Sequence, residues 1–141
     1  MTGRNLIDTA LDPRRSVVVE ACAGSGKTWL LVSRIVRLLL DDYAPGEILA
    51  ITYTRKAARE IESRLREVLR ELALAEDVKA CAMLVERGVD EVGAGALLPR
   101  ARGLYERLLT ASPPVTVSTF HGWFAGLLRS APLASGVSGL T

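Results

Sequence analysis

Residues 17–40 read VVVEACAGSGKTWLLVSRIVRLLL, and they carry the strongest indication of the fold. It begins with a short β-branched run, passes through a loop with two glycines, and ends in a run with helical periodicity. A buried strand, a glycine-rich turn and an amphipathic helix in this order are typical of proteins in which parallel strands alternate with helices. The stretch therefore predicts an α/β fold with a parallel sheet.

The loop between this strand and this helix has the residues of a phosphate-binding loop. Residues 21–28, ACAGSGKT, fit the pattern G-x-x-x-x-G-K-[ST], although Ala21 replaces its first glycine. The glycines allow backbone N–H groups to approach phosphate oxygens, and the helix start adds positive charge. Lys27 supplies a cation for the β- and γ-phosphates, and Thr28 supplies a hydroxyl for Mg²⁺. We predict that ATP and Mg²⁺ bind to Ala23, Gly24, Ser25, Gly26, Lys27 and Thr28, with catalytic roles for the last two.

Two further β-type runs follow, at residues 48–53 and 115–119. The first is almost continuously apolar, which predicts a strand covered on both faces, whereas the second alternates and favours a position nearer the edge. Helices are predicted at residues 28–40, 55–74, 77–87, 97–110 and 120–129, with a break at residues 88–95. The helix at residues 55–74 is expected to bury one stripe, formed by Ala57, Ile61, Leu65, Val68 and Leu72. Residues 71–113 are predicted to be a helical insert, and residues 130–141 a loose tail.

Polar and aromatic residues follow both of these runs. Thr52, Thr54 and Lys56 end the first run and open the next helix. Hydroxyls, helix N-terminal amides and cations can bind a nucleic-acid phosphate, whereas a helix N-cap at Thr54 beside a solvated charged face is the simpler alternative. The second run is followed by FHGWF at residues 120–124, in a chain with only 5% aromatic residues. These rings either stack on bases or pack in the core, and for Phe124 the helical spacing favours the core.

Three segments together resemble a known family. VVVEACAGSGKTWLLVSRI, ILAITYTRKAAREIESRL and VTVSTFHGWFAGLLR are similar, in order, to the first three motif blocks of UvrD/Rep-type helicases of superfamily 1. The resemblance covers residues 15–70 and 114–129. It implies a P-loop NTPase fold of the RecA-like kind, with residues 1–141 as the N-terminal part of motor domain 1A of an ATP-dependent DNA helicase. The long connection from Thr54 to Thr119 further resembles the RecB and AddA branch, the helicase-nuclease subunits of DNA repair.

The resemblance also implies binding partners. The chain itself departs from the family in two ways. Contact with single-stranded DNA is implied for Thr52, Thr54 and Lys56 after one strand, and for Thr119, Phe120 and His121 after the next. Nuclease or helicase subunits of a repair complex are implied as further partners. The chain contains no glutamine to read adenine, and the family's Mg²⁺-binding and water-activating carboxylates have no match, since Asp90 and Glu91 lie in the insert. The isolated 141 residues are therefore expected to bind nucleotide weakly, without fast hydrolysis or unwinding.

Composition and charge limit the classes of protein to which the chain can belong. A net charge of +2 permits nucleic-acid contact without arguing for it. Two cysteines without a CxxC pair argue against a disulfide framework, and the apolar residues 29–40 are too short and too charged to span a bilayer. The N-terminus has early charges and no apolar core, so a cytoplasmic protein without a signal peptide or membrane partner is expected. A small P-loop phosphotransferase and a stand-alone nucleotide- or DNA-binding regulatory module stay open as alternatives.

Overall fold

The computed structural model describes residues 27–130. The elements in chain order are α1 (Lys27–Leu40), a 3₁₀ turn (Pro45–Glu47), β1 (Leu49–Thr52), α2 (Arg55–Leu74), α3 (Asp77–Glu86), α4 (Glu91–Thr110), β2 (Thr116–Thr119) and α5 (Phe120–Ser130). The predicted strand at residues 17–21, most of the predicted phosphate loop and residues 131–141 lie outside this range. Ser130 was predicted to begin the tail, but it is the last residue of α5.

The two described strands are parallel neighbours. Leu49 of β1 pairs with Thr116 of β2, and the register continues to the pair Thr52 and Thr119. Parallel strands need a crossover connection, which α2, α3 and α4 provide. The α/β prediction with a parallel sheet is therefore confirmed for these two strands, and both strands end at the same sheet edge.

Strand β1 is covered on one face rather than two. Ala50 packs against the core together with Val117 of β2. Leu49 and Ile51 point the other way and are 45% and 43% exposed. The prediction of a strand covered on both faces is thus wrong for the described residues, because the core formed by the helices packs against the side that carries Ala50 and Val117.

Helix α2 lies at the centre of the core and packs against α1 and α4. Its buried residues follow helical spacing and are Ala58, Ile61, Leu65, Leu69 and Leu72. Of the predicted stripe, Ile61, Leu65 and Leu72 are buried and Val68 is half-buried against the core, whereas Ala57 is half-buried without belonging to it. Because α2 packs against both α1 and α4, its fully buried stripe runs through Ala58 and Leu69.

Helix α4 begins earlier than predicted. The sequence predicts a break at residues 88–95, but α4 starts at Glu91 and includes Gly93 and Gly95. Asp90 caps the helix, since its carboxylate accepts a hydrogen bond from the Gly93 N–H at 2.5 Å. An N-cap and an acidic first turn stabilise a helix start by roughly the amount that a helical glycine costs, about 1 kcal/mol each.

Arg102 of α4 forms hydrogen bonds with the end of α2 and with the start of α3. Its guanidinium donates to the carbonyls of Leu72 and Ala73 at 3.2 Å and to that of Ala75 at 2.8 Å. It also bonds the Asp77 carboxylate at 2.6 Å. The last carbonyls of a helix have no partner within the helix, so Arg102 satisfies groups that would otherwise need water.

We expect Arg102→Ala to lower the free energy of unfolding by about 2 kcal/mol, because several hydrogen bonds to a charged group are lost together. Urea unfolding followed by circular dichroism measures the change. Arg66→Ala on the exposed side of α2 is the matched control, with an expected change within about 0.5 kcal/mol. Equal losses in the two variants would contradict this role of Arg102.

Candidate functional site

Helix α1 carries the end of the predicted phosphate loop. Its described part begins at Lys27, and Thr28 is half-buried in its first turn. The N-terminal end of a helix attracts anions through its free N–H groups and its dipole. The other predicted loop residues, Ala23, Gly24, Ser25 and Gly26, lie outside the described residues.

At the end of β1, Thr54 is the N-cap of α2. Its Oγ1 accepts a hydrogen bond from the Ala57 N–H at 3.1 Å, and the Thr52 hydroxyl donates to the Thr54 carbonyl at 3.0 Å. The structure thus shows the capping role that the sequence offered as the simpler alternative. A capping hydroxyl still has its own hydrogen to donate, so Thr54, which is exposed, is also able to bind an anion. Lys56 is exposed in the first turn of α2.

The end of β2 repeats this arrangement. Thr119 Oγ1 accepts a hydrogen bond from the Gly122 N–H at 3.1 Å at the start of α5. A Cβ atom on Gly122 would lie 3.0 Å from Ser118 Oγ and 3.1 Å from Thr119 Oγ1. Gly122 therefore lets the first turn of α5 lie close to the strand, a role that the sequence analysis missed and that the glycine within FHGWF could have signalled.

The aromatic residues of α5 form an exposed cluster. The rings of Phe120 and Phe124 stack with centroids 6.1 Å apart, and His121 meets Phe120 edge-on at 6.4 Å. Phe120 is 56% exposed and Phe124 46% exposed. The expectation that Phe124 belongs to the core is wrong, because it packs on Phe120 at the surface of the described residues. Stacked exposed rings are suited to stack on nucleic-acid bases.

The parallel register brings the two groups of residues to one edge. Thr52 pairs with Thr119, so the first turns of α2 and α5 open beside the same end of the sheet. Neither helix has an acidic residue in its first turn. Arg55 and Lys56 add positive charge there, and the sequence analysis did not single out Arg55. We call the first turns of α2 and α5, with Thr52 and Thr119, the strand-end edge.

The described residues offer neither a cluster of metal ligands nor a helix suited to cross a membrane. No group of at least three His, Cys, Asp or Glu residues within 27–130 could hold a metal ion. Among the helices of that range, none is long and apolar enough to cross a membrane. Thr28 supplies a hydroxyl oxygen, which is a ligand of the kind that Mg²⁺ accepts at phosphate sites.

Comparison with known proteins assigns the family. The model of the UvrD/REP helicase N-terminal domain matches residues 5–137. This chain belongs to the UvrD/REP helicase N-terminal domain family. The match includes both strand-end motifs, and it agrees with the resemblance found in the sequence. No solved structure matches the chain.

Curated relatives of this UvrD/REP family member carry a specific activity in their names. The ATP-dependent DNA helicase PcrA of Bacillus subtilis (strain 168) is 37% identical over 82 residues, which cover 55% of this chain and 11% of that protein. PcrA of Staphylococcus aureus (strain Mu50 / ATCC 700699) is also 37% identical, with the same shares of each chain. PcrA of Staphylococcus epidermidis (strain ATCC 35984) is 38% identical over 82 residues. The matched part is therefore about a tenth of the length of these relatives.

Thr54→Ala is expected to lower the free energy of unfolding by about 1 kcal/mol, since the cap on the Ala57 N–H is lost. Thr54→Ser keeps the capping hydroxyl and should cost much less. Chemical unfolding of both variants beside the wild type checks this difference. If the serine variant were destabilised as much as the alanine variant, the capping hydroxyl would not be the stabilising group.

Proposed function

We propose that this chain is the ATP- and DNA-binding N-terminal portion of motor domain 1A of a DNA helicase, with a RecA-like P-loop fold. The observation that carries the proposal is the strand-end edge, where two threonine-capped helix starts open side by side next to paired strand ends. Family membership and relatives named ATP-dependent DNA helicase support it. The activity belongs to the whole helicase, of which this chain supplies one part.

The strand-end edge fits the chemistry of single-stranded DNA. Helix N-terminal amides, the hydroxyls of Thr52, Thr54 and Thr119, and the ammonium of Lys56 are groups that bind phosphate. The exposed rings of Phe120 and Phe124, with His121 beside them, offer stacking surface for bases. We propose that the DNA backbone follows this edge and that one or more bases stack on the rings.

The nucleotide is proposed to bind at the start of α1. Lys27 would contact the β- and γ-phosphates, and Thr28 would offer one oxygen to Mg²⁺. The backbone of Ala23, Gly24, Ser25 and Gly26 would surround the phosphates with N–H groups. Mg²⁺, when bound, neutralises phosphate charge for phosphoryl transfer. The fit of Thr28 is supported by its place in the first turn of α1.

We expect that these 141 residues alone do not hydrolyse ATP rapidly. Phosphoryl transfer to water needs a positioned nucleophile as well as charge neutralisation. Asp90, a carboxylate that lies in the insert, already caps α4 by accepting from the Gly93 N–H. Nucleotide binding without rapid turnover is the expected behaviour.

We further infer that the chain is related to the RecB and AddA branch and acts in DNA repair in the cytoplasm with nuclease or helicase subunits. The long connection between β1 and β2 supports this, since it is filled by α2, α3 and α4. These helices share one core with α1, and α4 packs directly against α1 and α2.

We expect Lys56→Ala to weaken binding of an oligothymidylate and to lower the slope of log affinity against log salt by about 0.7, the value for one phosphate contact on a single strand. Fluorescence anisotropy over a series of salt concentrations measures both. Lys79→Ala, an exposed lysine on α3, is the matched control and should leave the slope unchanged. An unchanged slope in the Lys56 variant would contradict DNA contact there.

Lys27→Ala should weaken binding of Mg·ATP by about tenfold or more, because a charge-assisted contact to phosphate is lost. Isothermal titration calorimetry with a non-hydrolysable analogue measures the affinity. DNA binding that persists while the wild type binds no nucleotide would favour the regulatory-module alternative. Rapid, Lys27-dependent hydrolysis by the 141-residue chain would contradict the expected lack of turnover.

A further inference from the structure

A cleft of about 510 Å³ opens beside the first turn of α1, between α1, α2 and α3. Thr28 and Trp29 of α1 line it on one side, and Arg87, directly after α3, lines it on another. The remaining walls carry several carboxylates, Glu60, Glu67, Glu71 and Glu86. The cleft therefore joins the proposed nucleotide site to the helical insert.

Arg87 is buried to an extent that is unusual for a charged residue. It is 5% exposed, although arginine is rarely buried without a partner. Its Nη1 donates to the Met83 carbonyl at 2.9 Å, and the Glu86 carboxylate lies 3.9 Å from the same nitrogen. Nε has no hydrogen-bond acceptor among the described residues. Burial lowers the pKa of Arg87, while Glu86 and Glu71 act in the opposite direction.

The further partner of this buried cation is a ring on α1. The guanidinium carbon of Arg87 lies 5.5 Å from the centroid of the Trp29 ring. Cation–π attraction is stronger when the cation is removed from water, as it is here. The carbonyl of Arg87 also accepts a hydrogen bond from Arg37 Nη1 at 2.9 Å. Trp29 is in the first turn and Arg37 in the last turn of α1, so one residue holds that helix near both ends.

We propose that Arg87 is a positioning residue for the nucleotide site: its guanidinium holds the Trp29 ring and thereby fixes the first turn of α1, which carries Lys27 and Thr28. The inference rests on the proposed nucleotide-binding function. Trp29 follows Thr28 directly in the chain, so a contact that holds the Trp29 ring restrains the turn of backbone that carries the threonine. Binding groups act best when packing fixes their own position, and the helical insert supplies that packing here.

The test is a double-mutant cycle between Arg87 and Trp29, read as affinity for a fluorescent Mg·ATP analogue. Arg87→Met keeps an unbranched apolar stem and removes the guanidinium with its charge, and it should weaken binding about five- to tenfold. Trp29→Leu removes the ring. In the Trp29→Leu background, the Arg87 change should have no further effect, since the ring through which it acts is gone. Arg64→Met, another arginine that lines the cleft, is the control and should bind as the wild type does.

The outcomes separate this inference from the proposed function. Absence of nucleotide binding by the wild type overturns the proposed function and this inference with it. Normal binding by a folded Arg87→Met protein overturns the inference alone, and so does an equal loss in both backgrounds. Circular dichroism shows whether each variant is folded at the temperature of the titration.

A measurement on the wild type covers the case in which Arg87→Met does not fold. The Trp29 indole N–H and Arg87 Nε–H signals in NMR spectra are followed as the Mg·ATP analogue is added. Both signals should shift with the same dissociation constant as the nucleotide. If the nucleotide binds and the Arg87 signal does not move, Arg87 does not position the site.

Discussion

The parallel pairing of β1 with β2 is the constraint on which the strand-end edge depends. Its register places Thr52 beside Thr119, and each strand is followed almost at once by a helix whose first turn is capped by a threonine. If one strand shifted its pairing register by one residue, its side chains would turn to the opposite face of the sheet and the two caps would be separated. The crossover through α2, α3 and α4 holds this register, because those helices bury one continuous core against one side of both strands.

The helical insert links the two proposed binding regions. Its helices α3 and α4 pack with α1 and α2 in one core rather than forming a separate unit. Arg102 fastens the insert to the end of α2, and Arg87 fastens it to both ends of α1. The helix that starts at the strand-end edge and the helix that starts at the predicted phosphate loop are thereby joined through the same packed side chains.

Much of the fold and of the strand-end edge was predictable from the sequence, because helical periodicity and capping residues agree with the observed structure. The limits of α2 and the pairing of strand-end motifs followed from helical periodicity, from the Thr54 cap and from the rule that parallel strands end at one edge. The start of α4 was not predicted, since the weight given to Gly93 and Gly95 left out the Asp90 cap, which offsets part of their cost. The exposure of Phe124 and the burial of Arg87 depend on tertiary packing, which periodicity alone does not contain.

DNA binding by the strand-end edge is tested most directly by following its backbone amide signals in NMR spectra as an oligothymidylate is added. Amides in the first turns of α2 and α5 are expected to shift together, with one dissociation constant and with little change in α3. Shifts confined to one of the two helix starts, or to the insert, would contradict the claim that paired strand ends form a single DNA-binding edge.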